Sequence, residues 1–203
     1  MTSAQFTDVA AADGSITLSN LVPVAGEGVE TAYSVEVQIL DNVGYTTDAD
    51  YMWNGSSWDN VLTGEDASDV TIPAGQGLWV ANFVGESVGF QSSGRVPTSD
   101  LNAALDTDFG AVAIGNPFPV SVTLGDIVPL AAEGVETAYS VEIQILDNAG
   151  YTTEADYMWN GSSWENVLTS EDASQVTFPA GQGLWVANFT GEAVSLYIPA
   201  PEL

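Results

Sequence analysis

Asp41, Asp48 and Asp50 crowd one ten-residue stretch, and Asp147, Glu154 and Asp156 stand at the matching places 106 residues later. Carboxylates on a loop are hard oxygen donors, and Ca²⁺ takes six to eight such oxygens. These six residues are therefore the candidate metal ligands, and Ca²⁺ is the one candidate cofactor. Their spacing is not that of an EF-hand loop, and Asp41-Asn42 equally suits a turn. Glu65-Asp66 and Glu171-Asp172 form a second duplicated acidic pair.

The aromatics are the second candidate group. The six tryptophans are Trp53, Trp58, Trp79, Trp159, Trp164 and Trp185. Trp53 and Trp58 flank Asn54-Gly55, the strongest short hairpin signal, because both turn residues accept positive φ. Trp159 and Trp164 flank its copy. Paired across a hairpin, and joined by Tyr45 and Tyr51, such rings offer a stacking platform for sugars or an anchor between subunits. Core packing is the plainer expectation for them. Asn54, Asn160 and Asn188 each open an N-x-S/T sequon.

Other chemistry lacks its residues. The chain has no cysteine, no histidine and no lysine, and Arg95 is its single basic side chain. Thiolate metal sites, Ser-His-Asp and Cys-His catalysis, Schiff bases and lysine-bearing phosphate loops are excluded. A pair of acids flanking a sugar would suffice for glycoside hydrolysis, but no pair stands out, and no enzyme activity is expected. A net charge of −27 repels nucleic acid and anionic membranes, and attracts cations. No apolar run is long enough to span a bilayer as a helix. Met1 to Phe6 lacks the basic and apolar regions of a signal peptide.

The elements that must position these groups come in duplicate. Residues 15–90 recur at 121–196 without a gap, and 59 of 76 aligned positions are identical. Each repeat reads as all-β. Val35, Val37 and Ile39 alternate with polar residues, as do Val141, Ile143 and Ile145, which predicts half-buried strands. A Thr- and aromatic-rich strand follows over Tyr45 to Trp53. Short strands with closely spaced turns predict two tandem β-sandwich or small-barrel modules. The first spans 1–94, a linker spans 95–108, and the second spans 109–203. Ser99 to Leu105 suggests a short capped helix in the linker, and Pro23 and Pro129 are expected to end short elements.

The flanks of the repeats differ. Phe109 to Pro119 reads as a strand ending in a turn, and residues 3–14 do not match it. The first module is then short of a strand, unless residues 1–14 supply a divergent one. An open sheet edge invites β-strand addition by a neighbour, with Phe6 and Val9 as candidate contacts and residues 1–14 exchanged between subunits.

Gly115-Asn116-Pro117-Phe118-Pro119 and Pro179-Ala180-Gly181-Gln182-Gly183-Leu184-Trp185-Val186, the second also present at 73–80, resemble motifs in tandem β modules of bacterial secreted and cell-surface proteins. The resemblance implies an extracellular or surface location and carries no catalytic residue. The expected function is a structural subunit of an extracellular fibre or surface assembly. Its partner would be itself, as a noncovalent homopolymer joined by strand addition and aromatic contacts, with cation bridging. The alternative is a tandem carbohydrate-binding or adhesion module, with glycans as partners.

Overall fold

The computed structural model describes residues 14–40, 46–92, 97–105, 111–146 and 152–201. It is an all-β protein, with no α-helix among the described residues and two short 3₁₀ turns at Leu18–Asn20 and Leu124–Asp126. The described strands form six sheets, none closed into a barrel, and every pairing among them is antiparallel.

The first repeat holds β1 (Ile16–Thr17), β2 (Leu21–Ala25), β3 (Val35–Leu40), β4 (Thr46–Trp53), β5 (Trp58–Asn60), β6 (Thr71–Ile72), β7 (Leu78–Asn82) and β8 (Val88–Ser92). Its sheets run β5-β4-β3-β7, β2-β8 and β1-β6. Two strands then precede the second repeat, β9 (Leu101–Leu105) and β10 (Ala111–Gly115). The second repeat holds β11 (Val122–Thr123), β12 (Val128–Ala131), β13 (Val141–Leu146), β14 (Thr152–Trp159), β15 (Trp164–Asn166), β16 (Thr177–Phe178), β17 (Gly183–Asn188) and β18 (Val194–Ile198). Its sheets run β10-β17-β13-β14-β15, β12-β18-β9 and β11-β16.

Each repeat packs its own hydrophobic cluster. In the first, Val35 and Val37 point inward beside Leu18, Trp53 and Trp58. In the second, Val141 and Ile143 do the same beside Leu124, Trp159 and Trp164. Strand alternation places these side chains on one face. The indole N–H of Trp58 donates to the Leu21 carbonyl at 2.8 Å, and that of Trp164 to the Ile127 carbonyl at 2.8 Å. A buried tryptophan is thereby satisfied at its polar end.

Three local expectations are corrected. Residues 101–105 form a strand rather than a helix, because β9 pairs with β18 and packs Leu101, Ala103 and Leu105 on the core. The expected hairpin after Trp53 forms, but only one of its two signal residues takes positive φ. Trp53 pairs with Trp58 across the four residues 54–57, and of these only Gly55 has positive φ, at 104°. The Asn54 side chain closes this loop by accepting from the Ser56 and Ser57 backbone N–H groups at 3.0 and 2.9 Å. Pro23 and Pro129 sit inside β2 and β12 rather than ending an element. Both strands lie at sheet edges, where a missing N–H need not break a ladder.

Candidate functional site

The predicted acidic ligands are not brought together in the described part of the chain. Asp41 and Asp147, like Phe6 and Val9, lie outside the described residues. Asp48 and Glu154 stand on β4 and β14, with their side chains outside the description. Asp50 and Asp156 are half-buried on the same strands, opposite Gln38 and Gln144. Among the described residues no three acidic side chains converge as a metal site would need. Burial, reinforced by the charge of Asp50, pushes the Tyr51 hydroxyl above its ordinary value, and burial with Asp156 does the same to Tyr157. Asp66 and Asp172 each accept a hydrogen bond at 2.7 Å from a serine two residues on, Ser68 and Ser174.

The four tryptophans nominated as a surface are core residues. Trp53, Trp58, Trp159 and Trp164 are all buried. Each hairpin pair meets edge to face at 5.4 Å between ring centroids. No flat face is left at these positions for a sugar ring to stack upon. The sequon residue Asn188 is buried as well, its side chain accepting from the Thr190 N–H at 3.0 Å and donating to the Glu192 carbonyl at 3.0 Å.

The asymmetric feature is at the sheet edges. β17 lies between β13 and β10, and β18 between β12 and β9. β7 and β8 occupy the same places in the first repeat, yet among the described residues each is the last strand of its sheet. The side chains register this. Val80 is 42% exposed while its counterpart Val186 is 0% exposed. Leu78 and Phe90 are half-buried where Leu184 and Leu196 are sealed, and exposed Ser92 stands where Ile198 is buried. Asn82 is exposed where Asn188 is not.

The open edges flank a groove of about 710 Å³, lined on the first-repeat side by Ile16, Leu21, Ile72, Leu78, Val80 and Phe90. Its opposite wall includes Ala113, Pro117 and Phe118. The two repeats touch at its rim. Gly77 N–H donates to the Ala113 carbonyl at 3.1 Å, and Gly115 N–H to the Gly75 carbonyl at 2.9 Å. Gly77 has no room for a side chain, since a Cβ there would collide with Ala113.

In the second repeat, the turn after β10 directs that strand into place. The Asn116 side chain donates to the Val120 and Phe178 carbonyls at 2.9 and 3.3 Å and accepts from the Phe118 N–H at 3.0 Å. Phe118 plugs the core. Beyond β18, Asp100 receives the Tyr197 hydroxyl and the Ala200 N–H, both at 2.9 Å. The Ala200 N–H, then the Tyr197 hydroxyl, hold this carboxyl below the usual carboxylate range.

No helix among the described residues is long and apolar enough to cross a membrane. No protein-family model, curated protein or solved structure matches the chain. Sequence reasoning located β10 within the unmatched flank at 109–119. It missed β9 and the second open edge, β8. The alternation of Leu101, Ala103 and Leu105 was the available signal.

Proposed function

We propose that the chain is a self-assembling structural subunit, built as two tandem β-sandwich modules of which the first is incomplete. The observation that carries this reading is the contrast between Val80, 42% exposed, and Val186, sealed beneath β10. An unpaired strand edge beside an apolar groove is a template for another strand. Backbone hydrogen bonds would supply the affinity, and the groove side chains the register. Completing the edge would also bury Leu78, Val80 and Phe90, and each such side chain contributes about 1.5–3 kcal/mol when fully buried.

Assembly has to overcome like charge, since each copy carries −27. Divalent cations would screen that repulsion and promote association. Bridging by Ca²⁺ at Asp41, Asp48 and Asp50 and their copies belongs to the same proposal, as does a location outside the cell or on its surface.

Negative-stain electron microscopy at low micromolar protein tests the reading, first with Ca²⁺ and then with excess chelator. Regular filaments in both conditions are the expected result. Filaments lost on chelation would assign the interface to bound cations as well. Dispersed monomers in both would overturn the reading, and a tryptophan-fluorescence response to glycans would then favour an adhesion module.

A further inference from the structure

The proposed assembly leaves open which segment fills the groove, and the turn after β10 bears on that question. At the 106-residue repeat offset, residues 5–9 occupy the sequence position of β10, and Ala10-Ala11-Ala12-Asp13 that of Asn116-Pro117-Phe118-Pro119. In the second repeat this turn folds β10 back onto its own sheet. Asn116 ties it to the Phe178 carbonyl, and Phe118 is buried in the core. Residues 10–13 contain no asparagine, no phenylalanine and no proline. The device that fastens a preceding strand to its own repeat is therefore missing before the first repeat.

We infer that residues 1–13 of one copy fill the β7 edge and groove of the first repeat of a second copy. This rests on the self-assembly reading above. Three observations support it. The acceptor edge has a sequence with a known complement: Leu78 to Asn82 is identical to Leu184 to Asn188, which β10 covers. The donor segment starts at the site, because Gly14 and Ile16 line the groove. Thirteen extended residues reach about 43 Å at roughly 3.3 Å each, far more than a five-residue edge requires. At the same offset Phe6 stands at the place of Val112, the partner of Val186, and so would face Val80. Donation from copy to copy in one direction is a heterologous contact, which propagates unless rotation closes it.

Two full-length variants test the inference. Val80→Asp places a charge in the acceptor groove at a position that is already half open, and Phe6→Pro, at the place of Val112, denies the donor a ladder hydrogen bond. Far-UV circular dichroism and tryptophan emission check that both fold. Wild type should sediment as polymer and each variant alone as monomer. An equimolar mixture should give a terminated heterodimer of close to twice 21.2 kDa. If wild type polymerises and the variants polymerise equally well, assembly uses another surface and the inference falls while the functional reading stands. If wild type is itself monomeric, both fall. If the variants are monomeric but no heterodimer forms, the segment acts within its own chain and exchange is refuted. Should Val80→Asp misfold, Val80→Cys mixed with Phe6→Cys in this cysteine-free chain gives the same answer. Oxidation should yield a crosslinked dimer from the mixture, and its absence would overturn the inference.

Discussion

β7 and β17 share the residues Leu-Trp-Val-Ala-Asn, yet Val80 is 42% exposed and Val186 is 0% exposed. Local sequence cannot account for this. The difference lies in what precedes each repeat. β9 and β10 bring Leu105, Val112 and Ile114 into the second core, and the turn after them adds Phe118. Among the described residues, the first cluster draws only on its own repeat. Burial is thus a property of the strand next door. Two nearly identical sequences are thereby expected to differ in stability.

The largest effect that would break this comparison is at Phe118. Phe118→Ala should destabilise the second repeat by about 3–5 kcal/mol, the usual range for a buried phenylalanine. Denaturant unfolding should show the second repeat falling toward the first, and a negligible change would deny that the turn holds β10 in place.

Next comes the matched pair at the sheet edges. Leu184→Ala should cost about 2–5 kcal/mol. Leu78→Ala, at a half-buried position in dispersed protein, should cost less than half as much. Equal costs, read from paired denaturation curves, would mean that the first repeat is as well sealed as the second.

A control should be symmetric. Trp58→Phe and Trp164→Phe each remove one indole hydrogen bond to a buried carbonyl, worth about 1–3 kcal/mol. The two losses should agree, because these parts of the cores match at 2.8 Å in both repeats. A large disagreement would show that the open edge loosens the whole first repeat.

The smallest effect is pH-dependent and confined to the second repeat. The Asp100 carboxyl is held below the ordinary carboxylate range, chiefly by the Ala200 N–H and then by the Tyr197 hydroxyl. Its contribution is present above the unfolded value of about 3.9 and is lost as pH falls through the lower folded value. Asp100→Asn should flatten that acid-side loss in a stability–pH series, whereas an unchanged slope would remove the clasp from the account. The raised Tyr51 and Tyr157 hydroxyls act oppositely. Their contribution is present below the unfolded value of about 10 and is lost as pH rises through the folded value, equally in both repeats.

Much of this was legible in the amino-acid order. The alternation of Val35, Val37 and Ile39 marks an inward face, and those residues form it. The unmatched flank at 109–119 reads as a strand ending in a turn, and β10 lies there. Ser99 to Leu105 suggests a capped helix, because Ser99 and Asp100 are capping residue types. The strand conformation of Leu101 to Leu105 depends on β18, more than ninety residues later, and no local rule sees such a partner. The tryptophans drew a surface hypothesis because composition cannot tell a buried indole from an exposed one. The carbonyls of Leu21 and Ile127, each 37 residues away, satisfy the indole N–H of buried Trp58 and Trp164. The turn at Asn54 depends on a side chain that accepts backbone N–H groups, an alternative to the two-residue turn that the dipeptide suggests.

The measurement that most directly tests the open edge as the assembly surface is hydrogen exchange by mass spectrometry, on dispersed and on assembled protein. Peptides that include Ile72 or Val84 report β7, and those that include Phe178 or Thr190 report β17, which separates the otherwise identical segments. The account predicts that β7 and β8 exchange quickly when dispersed and become protected on assembly, while β17 and β18 stay protected throughout. Assembled protein in which β7 and β8 exchange as fast as before would contradict it.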